Sequence, residues 1–166
     1  MGSFFVFIPM GLLDFFKKLK KYKLSFKTNE KFLLEEYIFG KELTVSVIKN
    51  GFNYRSLEVT EIVSLNKTYD YQAKYTKGYS KHFIPARITK QHHKKCLDLS
   101  LKIHKIFNCN TLSRVDFILS TKENKIYFLE INSQPGMTKM SLLPEQATFK
   151  KIRFENIVKE LINNSK

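Results

Sequence analysis

The sequence predicts an α+β fold, a mainly antiparallel sheet flanked by helices, and three observations carry that prediction. Two strand-like runs, SRVDFIL and IYFLEIN, are joined by the polar connector Thr121–Lys125, short enough for a hairpin. A second pair, Leu43–Ile48 and Leu57–Val63, flanks the tight-turn dipeptide Asn50-Gly51. Two further segments place apolar residues at three- and four-residue steps, the period of a helix with one buried face.

Taken along the chain, Leu33–Ile38 and Leu43–Ile48 read as strands, the second alternating at Leu43, Val45 and Val47. With Leu57–Val63 they form an expected antiparallel segment. Lys67 to Pro85 is polar and aromatic without a sustained period, so a long loop is expected, less well ordered than the sheet. Thr89 is placed to cap a helix in which Cys96, Leu99, Ile103 and Ile106 form a buried stripe against a Lys/His face. The hairpin 113–132 follows, then a loop, then an amphipathic helix around Phe154–Leu161.

Composition narrows the function classes. A length of 166 residues is about one domain. The formal charge of +14 would suit a phosphate-rich partner, yet only four of the 29 basic residues are Arg, and the Lys are spread along the chain. No basic stripe interleaved with aromatics is visible, so a Lys-rich solvated surface is expected and nucleic acid is not an expected partner. Cys96 and Cys109 fit no disulfide framework or CxxC pair, which points to a reducing compartment. His82, His92, His93 and His104 lack zinc-site spacing, and the adjacent pair His92-His93 reads as solvated surface. No stretch reaches the roughly twenty apolar residues of a membrane span. Met1–Phe16 is apolar but carries its positive charge after the apolar run, the reverse of a secretory signal. Phe15–Lys21 reads as a piece of core rather than a membrane-surface helix.

Chemistry concentrates on the hairpin. A turn centred on Glu123 puts Asp116 opposite Glu130 and Arg114 opposite Asn132, and period-2 geometry turns all four to one face. Opposed carboxylates repel unless something neutralises them. Hard oxygen donors at this spacing suit Mg²⁺, which takes one or two carboxylates plus substrate phosphates. Arg114 adds a planar fork for phosphate or a developing oxyanion. From these residues alone, a solvated hairpin face with one Arg–Asp pair accounts for the pattern equally well.

The residues that follow decide between these readings. Glu130-Ile131-Asn132 continues through Ser133-Gln134-Pro135-Gly136-Met137-Thr138 to Ser141-Leu142-Leu143-Pro144. This string resembles the signature E-x-N-x-x-P-G-M-T-x-x-S-L-x-P of the D-alanine–D-alanine ligases, in the ATP-grasp superfamily. Glu35 to Val45 resembles the family's nucleotide-binding segment, and Tyr69-Asp70-Tyr71-Gln72-Ala73-Lys74-Tyr75 its mobile substrate loop, with Pro85-Ala86 following in place. The likeness runs from about Phe32 to the end, and makes the fold the C-terminal half of an ATP-grasp domain.

The resemblance implies ATP-dependent joining of two D-alanines, for peptidoglycan precursors, cell wall biogenesis and cell shape, in the cytoplasm. ATP and Mg²⁺, with Mn²⁺ as the alternative, are the implied cofactors, and a homodimer is the family's assembly. Asp116, Glu130 and Asn132 are the implied metal ligands. Arg114 and the Gly136 backbone are implied to stabilise the oxyanion of the tetrahedral intermediate. Glu35 resembles the acceptor of the adenine amino group, Tyr37 and Ile38 the backbone pairing the ring edge, and Glu42 the ribose contact. Lys74 resembles the loop lysine near the phosphates. Tyr75 resembles the tyrosine that closes over the substrates, the pattern for D-alanine rather than a hydroxy acid in second place. Ser141 and Leu142 resemble the wall of the second D-alanine site. The family's N-terminal carboxylate, central-domain lysines and G-G-S-S-x-G loop are not intact here. Met1–Phe5 resembles a scrap of that loop, and Lys27–Phe32 the approach to the adenine strand. Residues 1–31 are therefore expected to be an unplaced segment left by truncation or a frameshift, and 32–166 the ligase region. An incomplete ligase follows as the expectation; a non-catalytic remnant, or a subunit completed by a separately encoded N-terminal half, is the alternative.

Overall fold

Residues 4–8, 32–64 and 80–164 are described by the structure, a computed structural model, and they fall in two units, residues 1–39 and 40–166. In the first unit, β1 (Phe4–Ile8) pairs in parallel with β2 (Phe32–Glu36), in the register Phe4↔Phe32. The strand expected at 33–38 thus ends earlier. It also pairs with β1 and not with the antiparallel sheet, a long-range choice that local pattern does not encode. The rings of Tyr37 and Phe39 beyond it meet edge to face at 4.7 Å.

The second unit is built on a five-stranded sheet in the order β5-β4-β3-β6-β7, every neighbouring pair antiparallel. Its strands are β3 (Gly40–Asn50), β4 (Asn53–Ser64), β5 (Ser80–Phe83), β6 (Leu112–Ser120) and β7 (Ile126–Asn132). Gly51 joins β3 to β4 at φ 64, in the left-handed region that glycine enters without a Cβ clash. β5 is a correction: residues 80–83 lie in the expected loop, and SKHF is too short and polar to show a strand period. It forms because residues 61–64 of β4 offer a free edge. Lys67 to Tyr79, with the order expected of it, lies outside the described residues.

Each face of the sheet carries its own apolar cluster. On one, Leu43, Val45, Val59, Val115, Phe117 and Leu119 pack with Ala86 and Cys96 of the segment leading into and through α1 (Lys90–Ile106). Thr89 caps α1 as expected, accepting from the His92 amide at 3.2 Å. Its buried row is His92, Cys96, Ser100 and His104, at steps of four, whereas Ile106 is 62% exposed, against expectation. The His92-His93 pair is not solvated surface either. His92 is buried, its Nε2 3.3 Å from the Asn124 carbonyl, and His93 Nε2 meets the Glu58 carboxylate. Those partners lie 32 and 35 residues away in sequence, beyond any local pattern.

On the other face, Ile48, Leu57 and Leu112 are covered by Leu143, Ala147 and Ile157 from α2 (Leu142–Phe149) and α3 (Phe154–Asn163). α2 is a second correction, since a loop was expected there. Pro144 conceals it in the sequence but falls in its first turn, where a missing N–H costs no helical bond. Among the described residues no helix is long and apolar enough to cross a membrane. Both cysteines are free, and burial pushes the Cys96 thiol up to about 12, which leaves it unreactive.

Candidate active site

The β6–β7 hairpin contains an irregularity that decides where its polar residues point. Phe117 pairs with Phe128, but Asp116 pairs with Glu130, so Leu129 is an extra residue on β7. Strict alternation would group Ile126 and Phe128 with Glu130 and Asn132 on one face, mixing core and polar residues. The bulge at Leu129 separates them. Ile126 and Ile131 pack on the α1 side, while Glu130 and Asn132 stand opposite Asp116 and Arg114. The expected pairs are present, although plain period-2 counting omits the bulge that reconciles them with the core.

Arg114 forks onto Asp116, with Nε 3.0 Å from Oδ1 and Nη2 2.8 Å from Oδ2, and Nη2 lies 3.9 Å from Glu130 Oε1. The guanidinium therefore supplies the positive charge that opposed carboxylates need. Thr44 on β3 stands directly across from Asp116 and donates its hydroxyl to Oδ1 at 2.5 Å. Asp116 is thus held from both sides and its side chain is 15% exposed; that of Glu130 is 60% exposed and open to a ligand. Asn132 Oδ1 accepts from the Gln134 amide at 2.8 Å, which turns the chain into the following loop.

That loop leads to Ser141, the N-cap of α2. A capping serine usually accepts from the third helical amide, but here that residue is Pro144, which has none. The Ser141 hydroxyl instead folds back on the loop, 3.1 Å from the Thr138 amide and 2.9 Å from its Oγ1. Gly136 packs against it: a Cβ there would come within 2.8 Å of Ser141 Oγ. Leu142 opens α2 and is half-buried.

Glu42 lies on β3 two residues before Thr44, half-buried and paired with Ile118, so it shares the face of Asp116. Glu35, Tyr37 and Ile38 belong to the first unit, in and just after β2; Tyr37 is exposed and Ile38 half-buried. Lys74 and Tyr75 lie outside the described residues. The structure therefore brings together Arg114, Asp116, Glu130 and Asn132, with Gly136, Ser141 and Leu142 on the continuing chain.

Two supporting residues escaped sequence reasoning, Thr44 and Gln146. Gln146 is fully buried in α2, and its only local signal is a polar residue between Leu143 and Ala147 on a buried helical face. Away from the site, Glu58 is 5% exposed. Burial pushes its carboxyl up, but hydrogen bonds from Lys150, the Val59 amide and His93 outweigh that and hold it below the ordinary carboxylate range. Glu61 is lowered too, chiefly by the fork from Arg87.

Comparison with known proteins identifies the family. The family model described as D-ala D-ala ligase C-terminus matches residues 16–163, beginning inside the segment that carried no recognised motif. The chain is 44% identical over 139 residues to the D-alanine–D-alanine ligase of Rickettsia typhi, covering 83% of this chain and 42% of the relative. To that of Carboxydothermus hydrogenoformans it is 38% identical over 162 residues, covering 98% of this chain and 50% of the relative. The crystal structure of the Bacillus anthracis ligase complexed with ATP superimposes with a TM-score of 0.61 at 28% identity, over 79% of this chain and 41% of that one. The chain spans half or less of the length of these relatives. By sequence and by fold, it belongs to the D-alanine–D-alanine ligase family, whose C-terminal ATP-grasp part it corresponds to.

Proposed function

We propose that this chain supplies the phosphate-facing and second-substrate parts of an ATP-dependent D-alanine–D-alanine ligase, with residues 32–166 as the ligase region. The observation that carries the reading is the rung Asp116↔Glu130, neutralised by Arg114 and continuous with the Gly136–Ser141 turn. In the proposed reaction, ATP phosphorylates the carboxylate of one D-alanine. The amine of a second then attacks the acyl phosphate, giving dipeptide, ADP and phosphate.

The donor set fits a divalent cation of the Mg²⁺ type, with Mn²⁺ as the alternative. Asp116, Glu130 and Asn132 offer hard oxygens, and no cluster of three His, Cys, Asp or Glu exists among the described residues. Such an open set suits a cation that completes its shell with phosphate oxygens and water. Bound there, the cation would neutralise the phosphates as charge develops between them. Arg114, held by Asp116, would set its positive charge against the oxyanion of the tetrahedral intermediate, and the Gly136 backbone would approach from the loop. Ser141 and Leu142 wall the second D-alanine. By the family likeness, the adenine role is assigned to Glu35, Tyr37 and Ile38, the ribose role to Glu42, and the roles of loop lysine and loop tyrosine to Lys74 and Tyr75.

The chain spans half or less of its relatives' length; the second reading is a subunit completed by a partner half, or a remnant without catalysis. The proposed setting is peptidoglycan precursor synthesis in the cytoplasm. Phosphoryl transfer depends on every clamp being held at once, so the chain alone is expected to release little ADP with D-alanine. Activity should appear on adding an N-terminal half from a relative, and fall by roughly a hundredfold or more in Glu130→Gln or Asn132→Ala. Full dipeptide synthesis by the isolated chain would overturn the need for a partner. Unchanged rates in both variants would overturn the metal assignment.

A further inference from the structure

We propose that Gln146 is a positioning residue that sets the substrate-wall helix α2 in register with the Arg114–Asp116 pair. The inference rests on the ligase reading only in treating Ser141 and Arg114–Asp116 as parts of one site.

Gln146 is fully buried, and its carboxamide makes three hydrogen bonds to the sheet. Oε1 accepts from the Ser46 amide at 2.8 Å; Nε2 donates to Thr60 Oγ1 at 2.9 Å and to the Thr44 carbonyl at 3.3 Å. Thr44 and Ser46 are the β3 residues that stand across from Asp116 and Arg114. Gln146 therefore grips the backbone behind both members of the ion pair, and Thr44 passes the grip to Asp116 through its own hydroxyl.

The bond to Ser46 has a local cause. β3 and β4 lose regular register between Val45 and Val47, where the ladder skips Ser46. The carboxamide takes up the amide thus left over, as a buried N–H requires. Besides Gln146, α2 meets the sheet through apolar Leu143 and Ala147 and, at its edges, through two pairs made by long, part-exposed side chains, Glu145 with His82 at 2.7 Å and Lys150 with Glu58 at 2.8 Å. Apolar packing holds a helix down but resists sliding weakly, because the attraction is non-directional. A planar carboxamide with three partners fixes both position and rotation. Five residues upstream of it is Ser141, whose hydroxyl anchors Thr138 and against which Gly136 packs. Displacing the Gln146 end of this short helix displaces the Ser141 end with it.

The test uses the full chain without nucleotide, so its outcome does not depend on whether the chain forms dipeptide. Hydrogen exchange and ¹⁵N shift of the Arg114 Nε–H report the fork with Asp116, and the Thr138 amide reports the Ser141 turn. Gln146→Met keeps the volume and removes the bonds. It is expected to fold, to shift both signals and to speed exchange at Arg114 Nε–H by about tenfold, the worth of one hydrogen bond. Lys150→Met is the control, since it cuts the anchor of the same helix to Glu58 and should leave both signals in place. Should Gln146→Met not fold, Thr60→Val, which removes one of the three bonds, is read by the same signals. The proposal is overturned if the signals stay put, if Lys150→Met moves them equally, or if neither Gln146→Met nor Thr60→Val folds.

Discussion

Gly40 shows how much a single residue decides here. Its φ is ordinary, and the constraint is space: a Cβ would lie 2.2 Å from the Leu119 carbonyl oxygen and 2.7 Å from an Ile118 methyl. The first rung between β3 and β6, Gly40↔Ser120, closes only because nothing projects from that position. Gly40→Ala is expected to destabilise the chain by about 3 kcal/mol, because the obstructing atom is backbone and cannot rotate away. Urea unfolding measures this, and a loss below the ordinary scatter of surface substitutions would show that β3 starts later than Gly40. Residue-level reasoning read the polar identities of Arg114, Asp116, Glu130 and Asn132 well, because charge on an apolar strand stands out. Thr44 did not stand out, as a Thr in a strand is commonplace, and its importance lies in a partner 72 residues away.

Among the elements, the β6–β7 hairpin carries the sharpest expectation. With Leu129 removed, Phe117↔Phe128 and Asp116↔Glu130 become consecutive rungs of a regular ladder, and the polar and core faces stay as they are. A chain lacking Leu129 is expected to keep the cross-strand Hα contact between Asp116 and Glu130 in an NOE spectrum. Glu130 facing Val115 instead would overturn the reading of Leu129 as the extra residue. Elements with a strong period, such as α1 and the runs of β3 and β6, were legible beforehand. The short ones were not: α2 hides behind Pro144, and β5 exists because a neighbouring edge accepts it.

For the molecule as a whole, acid is the expected weakness. His104 is fully buried at the α1–sheet contact, Nδ1 2.7 Å from Ser113 Oγ, with the Tyr54 ring at 4.5 Å. Burial holds its pKa below the ordinary 6.5, while Glu58 and Glu61 sit below the ordinary 4.5. All three shifts are downward, so in each case the unfolded chain takes up protons first as pH falls. Stability is therefore full above about pH 6.5 and declines below it through His104, with the carboxylates adding below about 4.5. The His104 slope can reach about 1.4 kcal/mol per pH unit. Unfolding midpoints followed from neutral pH into acid should show it, and His104→Gln should flatten the decline that begins near pH 6.5. A decline confined to pH below 4.5 would remove His104 from this account.

Sequence alone determined the family and the hairpin that carries Asp116 and Glu130, because each is written in contiguous residues with a recognisable spacing. Only the tertiary structure decided which strand β2 joins, that Leu129 is the extra residue, and that Thr44 and Gln146 support the site. These depend on partners many residues away, such as the 102 between Thr44 and Gln146. A hydrogen bond across that separation is chosen by the packing of helix on sheet, which no local window of the chain contains.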